Sequence, residues 1–183
     1  MKEEILFITG NKKKVEEVRV ITGLNVIAKN LDISEIQSLD VEEVAKAKAL
    51  SAFNLTGQPV IVDDTGMSIE SLNGLPGALV VWFLDALKPE GILKMLNGAT
   101  NRKASVSTCI GYADKNGVYV FTGTIHGEIT DSLRGENGFG YDPIFIPSGY
   151  EKTYAEMTGD EKNEISMRKI ALIKFKEFME KQL

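Results

Sequence analysis

Along this chain the spacing of apolar residues switches between strand period and helix period, and each switch falls at a glycine or a polar turn. Ile5 to Ile8 is an unbroken apolar run that predicts a short strand. Thr9-Gly10-Asn11 breaks it, and Val15, Val18 and Ile21 then recur at helical spacing. Asn25 to Asp32 predicts a second strand. Residues 41–55 follow as an amphipathic helix, with Val41, Val44, Ala45 and Lys48 on one stripe and Thr56-Gly57 as its stop. Val60 to Val62 predicts a buried strand that delivers Asp63 and Asp64 at its C-terminal end, and Met67 and Ile69 mark a further short strand. After a loop at 73–77, Leu79 to Leu84 and Pro89 to Leu96 read as two helical pieces, Pro89 suiting a first turn. Alternation over 104–112 and 118–129, around Asp114-Lys115-Asn116-Gly117, predicts an antiparallel hairpin. Ile144 to Ile146 predicts a last strand and Ile165 to Met179 a closing helix.

An early strand-helix-strand region followed by a hairpin implies an α/β domain with a mixed β-sheet flanked by helices. At 183 residues, 43% of them hydrophobic, the chain is expected to form a single domain over 1–183 with a substantial core. Neither GxGxxG nor GxxxxGK[ST] occurs, which argues against the standard dinucleotide and P-loop sites. The net charge of −5 argues against a broad nucleic-acid surface, so any anion site must be local. One cysteine, Cys109, and one histidine, His126, allow neither an intrachain disulfide nor a Cys/His metal cluster. Both fall in predicted strands and read as structural residues, as does Trp82, in a core or a dimer contact. No apolar run suits a signal-peptide core or a membrane span, so a soluble, cytoplasmic protein is expected.

Four polar, glycine-punctuated segments lie beside these elements. In TGNKKK (Thr9 to Lys14) three lysines crowd a helix start, where the macrodipole disfavours each by about 0.3–1 kcal/mol. A bound phosphate would remove that conflict, and pairing with Glu16 and Glu17 is the plainer account. In VDDTG, successive strand residues point to opposite faces, so one of Asp63 and Asp64 faces a site. Asp64, beside Thr65-Gly66, is the candidate to hold Mg²⁺, with Glu35, Glu42 or Glu43 as its partner. GFGYDP offers Phe139 and Tyr141 as stacking faces and Asp142 as an acceptor, or else forms a tight loop with two core aromatics. In EKNEISMR, Asn163 is the expected helix cap, Lys162 is a candidate to contact phosphate or stack near the base, and Arg168 or a backbone N–H to donate to a purine C6 carbonyl; balance by Glu161 and Glu164 is the alternative.

These segments, with the GLPG loop between them, resemble in order and over nearly the whole chain the inosine triphosphate pyrophosphatase family. The resemblance implies an elongated, two-lobed α/β domain with a central cleft, a homodimer, and Mg²⁺-dependent hydrolysis of ITP, dITP and XTP to monophosphate and pyrophosphate. It implies that Thr9, Gly10, Asn11, Lys12, Lys13 and Lys14 bind the triphosphate, that Asp64 is proton acceptor or metal ligand, that Glu35 shares the metal, and that Thr65 touches substrate. Phe139, Gly140, Tyr141, Asp142, Lys162, Met167 and Arg168 would surround the base. The family usually has Ser-His-Arg where this chain has Ser166-Met167-Arg168. A related pyrophosphatase for modified pyrimidine nucleotides, and a catalytically silent nucleotide-binding module, are the competing functions.

Overall fold

A computed structural model describes residues 4–182. β1 (Ile5–Ile8), α1 (Lys12–Thr22) and β2 (Val26–Lys29) form the first unit, in which β2 lies parallel to β1. α2 (Val41–Thr56) leads to β3 (Val60–Ile69), whose start pairs parallel with β1 through Leu6↔Val60 and Phe7↔Ile61. β4 (Pro76–Gly77) folds back on β3, and α3 (Val80–Met95) follows. β5 (Lys103–Asp114) and β6 (Gly117–Ile129) are a long hairpin, and β7 (Phe145–Pro147) pairs with the end of β6. α4 (Gly159–Glu164) and α5 (Met167–Lys181) close the chain. The sheet runs β2-β1-β3-β5-β6-β7, with β4 on β3, so it is the mixed sheet with flanking helices that the pattern implies.

Each face of the sheet is covered because its inward residues are apolar at strand period. Ile5, Phe7, Ile61, Ile110 and Tyr112 face α1 and α5, where they meet Val15, Val18, Leu172 and Phe175. Leu6, Ile8, Val60, Val62, Cys109 and Ala113 face α2 and its alanine stripe, Ala45, Ala49 and Ala52. A third cluster fills the far end of β3 and β5, where Met67, Ile69 and Val106 pack on Ile92, Phe145, Tyr154 and Met157. Tyr112, Tyr119, Phe121, Phe175 and Phe178 meet with ring centroids 4.6–6.3 Å apart, tying the hairpin to α5.

Two elements and the placing of one side chain in the core differ from the pattern. β3 is one strand of ten residues, not two, because β5 pairs with it without interruption from Val60↔Ala113 to Ile69↔Ala104. Asp63 and Asp64 therefore sit inside a strand, just past the last residue that β1 pairs. The closing helix is unbroken from Met167 to Lys181, but a separate short helix precedes it and its cap is not Asn163. Thr158 and Glu161 form a capping box that starts α4 early, Asn163 lies within α4, and Ser166 caps α5 by accepting from Lys169 N–H. Trp82 is 74% exposed and packs in none of the clusters. The two helical pieces of α3 are real, since Lys88, just before Pro89, leaves the helical region.

Gly123 decides how close α5 comes to β6. A Cβ there would press on the Met167 carbonyl and lie 2.9 Å from Ala171 N, both of them backbone atoms that cannot rotate away. Gly123→Ala is expected to lower stability by about 1–3 kcal/mol, read as a shifted urea midpoint, and to impair the site that the first turn of α5 supplies.

Candidate active site

The β3–β5 register sends Ile61, Asp63 and Thr65 toward α1 and α5, and Val62, Asp64 and Gly66 toward α2. The two adjacent carboxylates thus meet different partners. Asp63 is buried, its side chain 5% exposed. Lys14 Nζ lies 3.1 Å from its Oδ1 and 2.9 Å from its Oδ2, and Arg168 Nε and a terminal guanidinium nitrogen each lie 3.3 Å from Oδ2. Glu17 Oε2 holds another Arg168 nitrogen at 3.4 Å. Lys14 and Arg168 are therefore not balanced by their sequence neighbours, as the plainer reading of each helix start would have it.

Asp64 has a different setting. Its Oδ2 is buried and has no hydrogen-bond partner among the described residues. Burial pushes its carboxyl up to about 7; Lys48 and Lys14 pull it down, while Glu35 and Asp63 push it further up. Glu35 is ion-paired with Lys48 on α2 and lines the same cavity as Asp64. Glu42 and Glu43 do not line it, their carboxylates accepting instead from the hydroxyls of Thr122 and Ser38 at 2.7 Å. Asp64 and Glu35 present only oxygen donors, which suits a hard dication. Among the described residues, however, no group of three or more His, Cys, Asp or Glu side chains could hold an ion without help from another ligand.

The turn before α1 is pre-arranged. Asn11 N–H donates to Thr9 Oγ1 at 3.1 Å, and Asn11 Oδ1 caps the helix by accepting from Lys13 N–H at 3.0 Å. Gly10, Lys12 and Lys13 are exposed, and among the described residues Lys12 and Lys13 have no carboxylate partner. Thr65 shares a hydroxyl contact of 3.2 Å with Thr108.

A second group forms around residues 138–142. Asp142 Oδ2 accepts from Phe139 N–H at 2.8 Å and from Lys162 Nζ at 2.6 Å, so this buried carboxylate ties the loop to α4. Gly138, at φ +76°, has no room for a Cβ because Asp142 fills that space. The Phe139 ring is 82% exposed, whereas Tyr141 is buried with its edge toward Phe145. Of the two aromatics only Phe139 offers an open face. Lys162 Nζ lies 5.3 Å from the Phe139 ring centre and 5.0 Å from that of Tyr154.

Two cavities join these groups. One, of about 590 Å³, is walled by Thr9, Lys14, Glu35, Lys48, Asp63 and Asp64. The other, of about 780 Å³, is walled by Lys13, Phe139, Gly140, Lys162, Met167 and Arg168, with Tyr141 and Asp142 behind them. Lys14, Thr65, Val81 and Asp85 belong to both, so the two are contiguous, and each falls in the size range of small-molecule sites. Residues of all four polar segments line the pair of cavities.

Lys48, Asp63, Glu17 and Asp85 were not among the expected site residues. Lys48 carried a signal, being a lysine on the apolar stripe of α2. Asp63 carried one too, as a carboxylate on the inner face of a strand. Glu17 and Asp85 carried none, since each occupies an ordinary polar helix position. Of the residues read as structural, Cys109 is buried with its thiol pushed up to about 11 by burial, and His126 is exposed on β6.

Residues 5–178 match the model of the Ham1 family. The chain belongs to the Ham1 family. It is 46% identical to the dITP/XTP pyrophosphatase of Methanopyrus kandleri, over 96% of this chain and 95% of that protein. It is 42% identical to the inosine triphosphate pyrophosphatase of Kluyveromyces lactis, over 97% and 96% of the two chains. The solved Ham1 protein of Staphylococcus aureus superposes with a TM-score of 0.90 at 31% identity, over 99% of this chain and all of that one.

The setting of Asp64 has a thermodynamic consequence. Its folded-state carboxyl at about 7 exceeds the 3.8 of an ordinary aspartate, so the folded state binds more protons, and stability falls as pH rises between those values. Asp64→Asn lacks this penalty. The variant is expected to melt above the wild-type protein by a margin that is absent at pH 3, widens from about pH 4 to pH 7 and is constant above, as measured by calorimetry without added metal.

Proposed function

We propose that the chain hydrolyses non-standard purine nucleoside triphosphates, ITP, dITP and XTP, to monophosphate and pyrophosphate. The observation that carries this reading is the contiguity of the two cavities: one pairs an open aromatic face with two cations, the other pairs a cationic loop with a buried, unpartnered carboxylate oxygen. A base, a ribose and a polyphosphate have that order of needs. Relatives with these activities in their names, alike over nearly their whole length, support it.

In this reading the purine lies on Phe139, and Lys162 and Arg168 donate toward the oxygen at C6. Adenine presents an amino donor at that position, so ATP leaves a buried donor unpaired and is rejected. Met167 borders the base but has no N–H to add. The Thr9-to-Lys14 turn and the first N–H groups of α1 take the phosphates, with Lys14 neutralising charge on the β and γ groups. Mg²⁺ would be held by Asp64 and Glu35 together with phosphate oxygens, because the protein donors alone are too few. When bound, it supplies positive charge to the phosphates and acidifies water.

Asp64 in its ionised form accepts the proton of the attacking water. The water oxygen bonds to the α-phosphorus, the bond from that phosphorus to the bridging oxygen breaks, and pyrophosphate leaves. Without an ion, burial holds this carboxyl at about 7, and an adjacent cation would favour the ionised form that the proton transfer needs. Asp64 is also the immediate chain neighbour of Asp63, which holds the base-side Arg168, and this supports attack at the phosphate nearest the nucleoside.

Incubation with ITP, XTP, GTP and ATP plus Mg²⁺, with product analysis, tests the reading. Monophosphate and pyrophosphate from ITP and XTP, with ATP spared, are expected; release of single phosphate from any of them would overturn it. Asp64→Asn is expected to lower kcat by about 10²–10⁴-fold while remaining folded. Because the Phe139 ring is so exposed, Phe139→Ala should leave stability unchanged and raise KM for ITP roughly tenfold, the value of one base stack.

A further inference from the structure

Asp63 takes no part in the bond-making above, yet side chains that line the two cavities, Lys14 and Arg168, meet at its carboxylate. Lys14, from the start of α1, contacts both of its oxygens at 2.9–3.1 Å. Arg168, from the first turn of α5, reaches one of them twice at 3.3 Å. These partners lie 49 and 105 positions away in the chain, so the contact joins three separate elements. The Asp63 side chain is 5% exposed, and solvent therefore screens these pairs far less than it would surface pairs. Lys14 and Arg168, both cationic, make no bond to each other. Glu17 restrains Arg168 on its other side and does not touch Lys14.

We propose that Asp63 is a positioning residue that couples recognition of the base to placement of the triphosphate. The inference rests on the nucleotide reading above. One carboxylate shared by two cations cannot serve either independently, because a shift of one changes the charge left for the other. A base that gives Arg168 an acceptor leaves the guanidinium in place on Asp63 and frees Lys14 for phosphate oxygens. A base that opposes Arg168 with a donor displaces it, and Asp63 then draws Lys14 back from the phosphates. Discrimination against the wrong base accordingly appears in kcat as well as in KM.

The test is steady-state hydrolysis of ITP and ATP by wild type, Asp63→Asn, Arg168→Gln and the double variant, with thermal melting to establish that each is folded. Asp63→Asn is expected to lose about tenfold or more in kcat on ITP and to lose selectivity over ATP. Arg168→Gln should cost at least about threefold less in the Asp63→Asn background than in wild type, as coupled sites do. If Asp63 only supports the fold, both substrates suffer equally and the cost of Arg168→Gln is the same in either background; that result overturns the coupling. Should Asp63→Asn fail to fold, Lys14→Met and Arg168→Gln form the cycle. Their combined loss must then fall short of the product of the single losses by about threefold or more, and simple multiplication overturns the proposal. A wild-type protein that leaves ITP intact overturns the nucleotide reading and this inference with it, whereas an active wild type with independent losses overturns the inference alone.

Discussion

The unbroken pairing of β3 with β5 is the constraint on which the rest of the site depends. Ten consecutive residues are held in register, from Val60↔Ala113 to Ile69↔Ala104. Strand period then leaves Asp63 and Asp64 no choice of side. A slip of one residue would exchange the two carboxylates and at the same time turn Ile61 and Val62 away from their clusters, so burial of those side chains pins the register. The apolar residues of β3 thereby set the orientation of its polar ones.

The same strand explains why the site lies where it does. β1 pairs only with the beginning of β3, so past Ile61 one edge of β3 is released from its parallel neighbour while the other stays bonded to β5. The carboxylates occupy that released stretch. Helices converge on it from both faces: the starts of α1 and α5 bring Lys14 and Arg168, and the middle of α2 brings Lys48. Lysines at the start of α1 conflict with its macrodipole. That cost persists because Lys14 turns toward a buried carboxylate and Lys13 toward the cavity.

Much of this was legible in the sequence, and the failures share a cause. Elements with one dominant period, such as β1, α2 and the β5–β6 hairpin, were plain because local pattern and tertiary packing agree. The middle of β3 was misread because Asp63-Asp64-Thr65-Gly66 has the composition of a turn, and only a partner strand more than forty positions away holds it extended. The cap of α5 was misplaced at Asn163 because Asn163 and Ser166 are both capping residue types, and the Thr158–Glu161 box draws Asn163 into α4. At the site, residue types near glycine-rich turns stood out. Lys48 and Asp63 were harder to see, because what marks them is a charge on an inward face, which becomes evident only once the facing element is known.

The dipeptide Asp63-Asp64 also shows how two identical side chains acquire different chemistry from position alone. Asp63 is met by two cations, Lys14 and Arg168, which tie it to α1 and α5. Asp64 is less buried as a residue, but its Oδ2 is out of contact with solvent and its neighbouring lysine is already paired with Glu35, so the charge nearby is nearly cancelled and desolvation dominates. Its carboxyl consequently sits at about 7, poised to exchange a proton. Because Glu35 raises Asp64 while Lys48 lowers it, a cation that engaged both carboxylates would displace the Lys48 pair and favour the ionised form of Asp64. In this arrangement the charge state of Asp64 is set by neighbours that an incoming cation would rearrange.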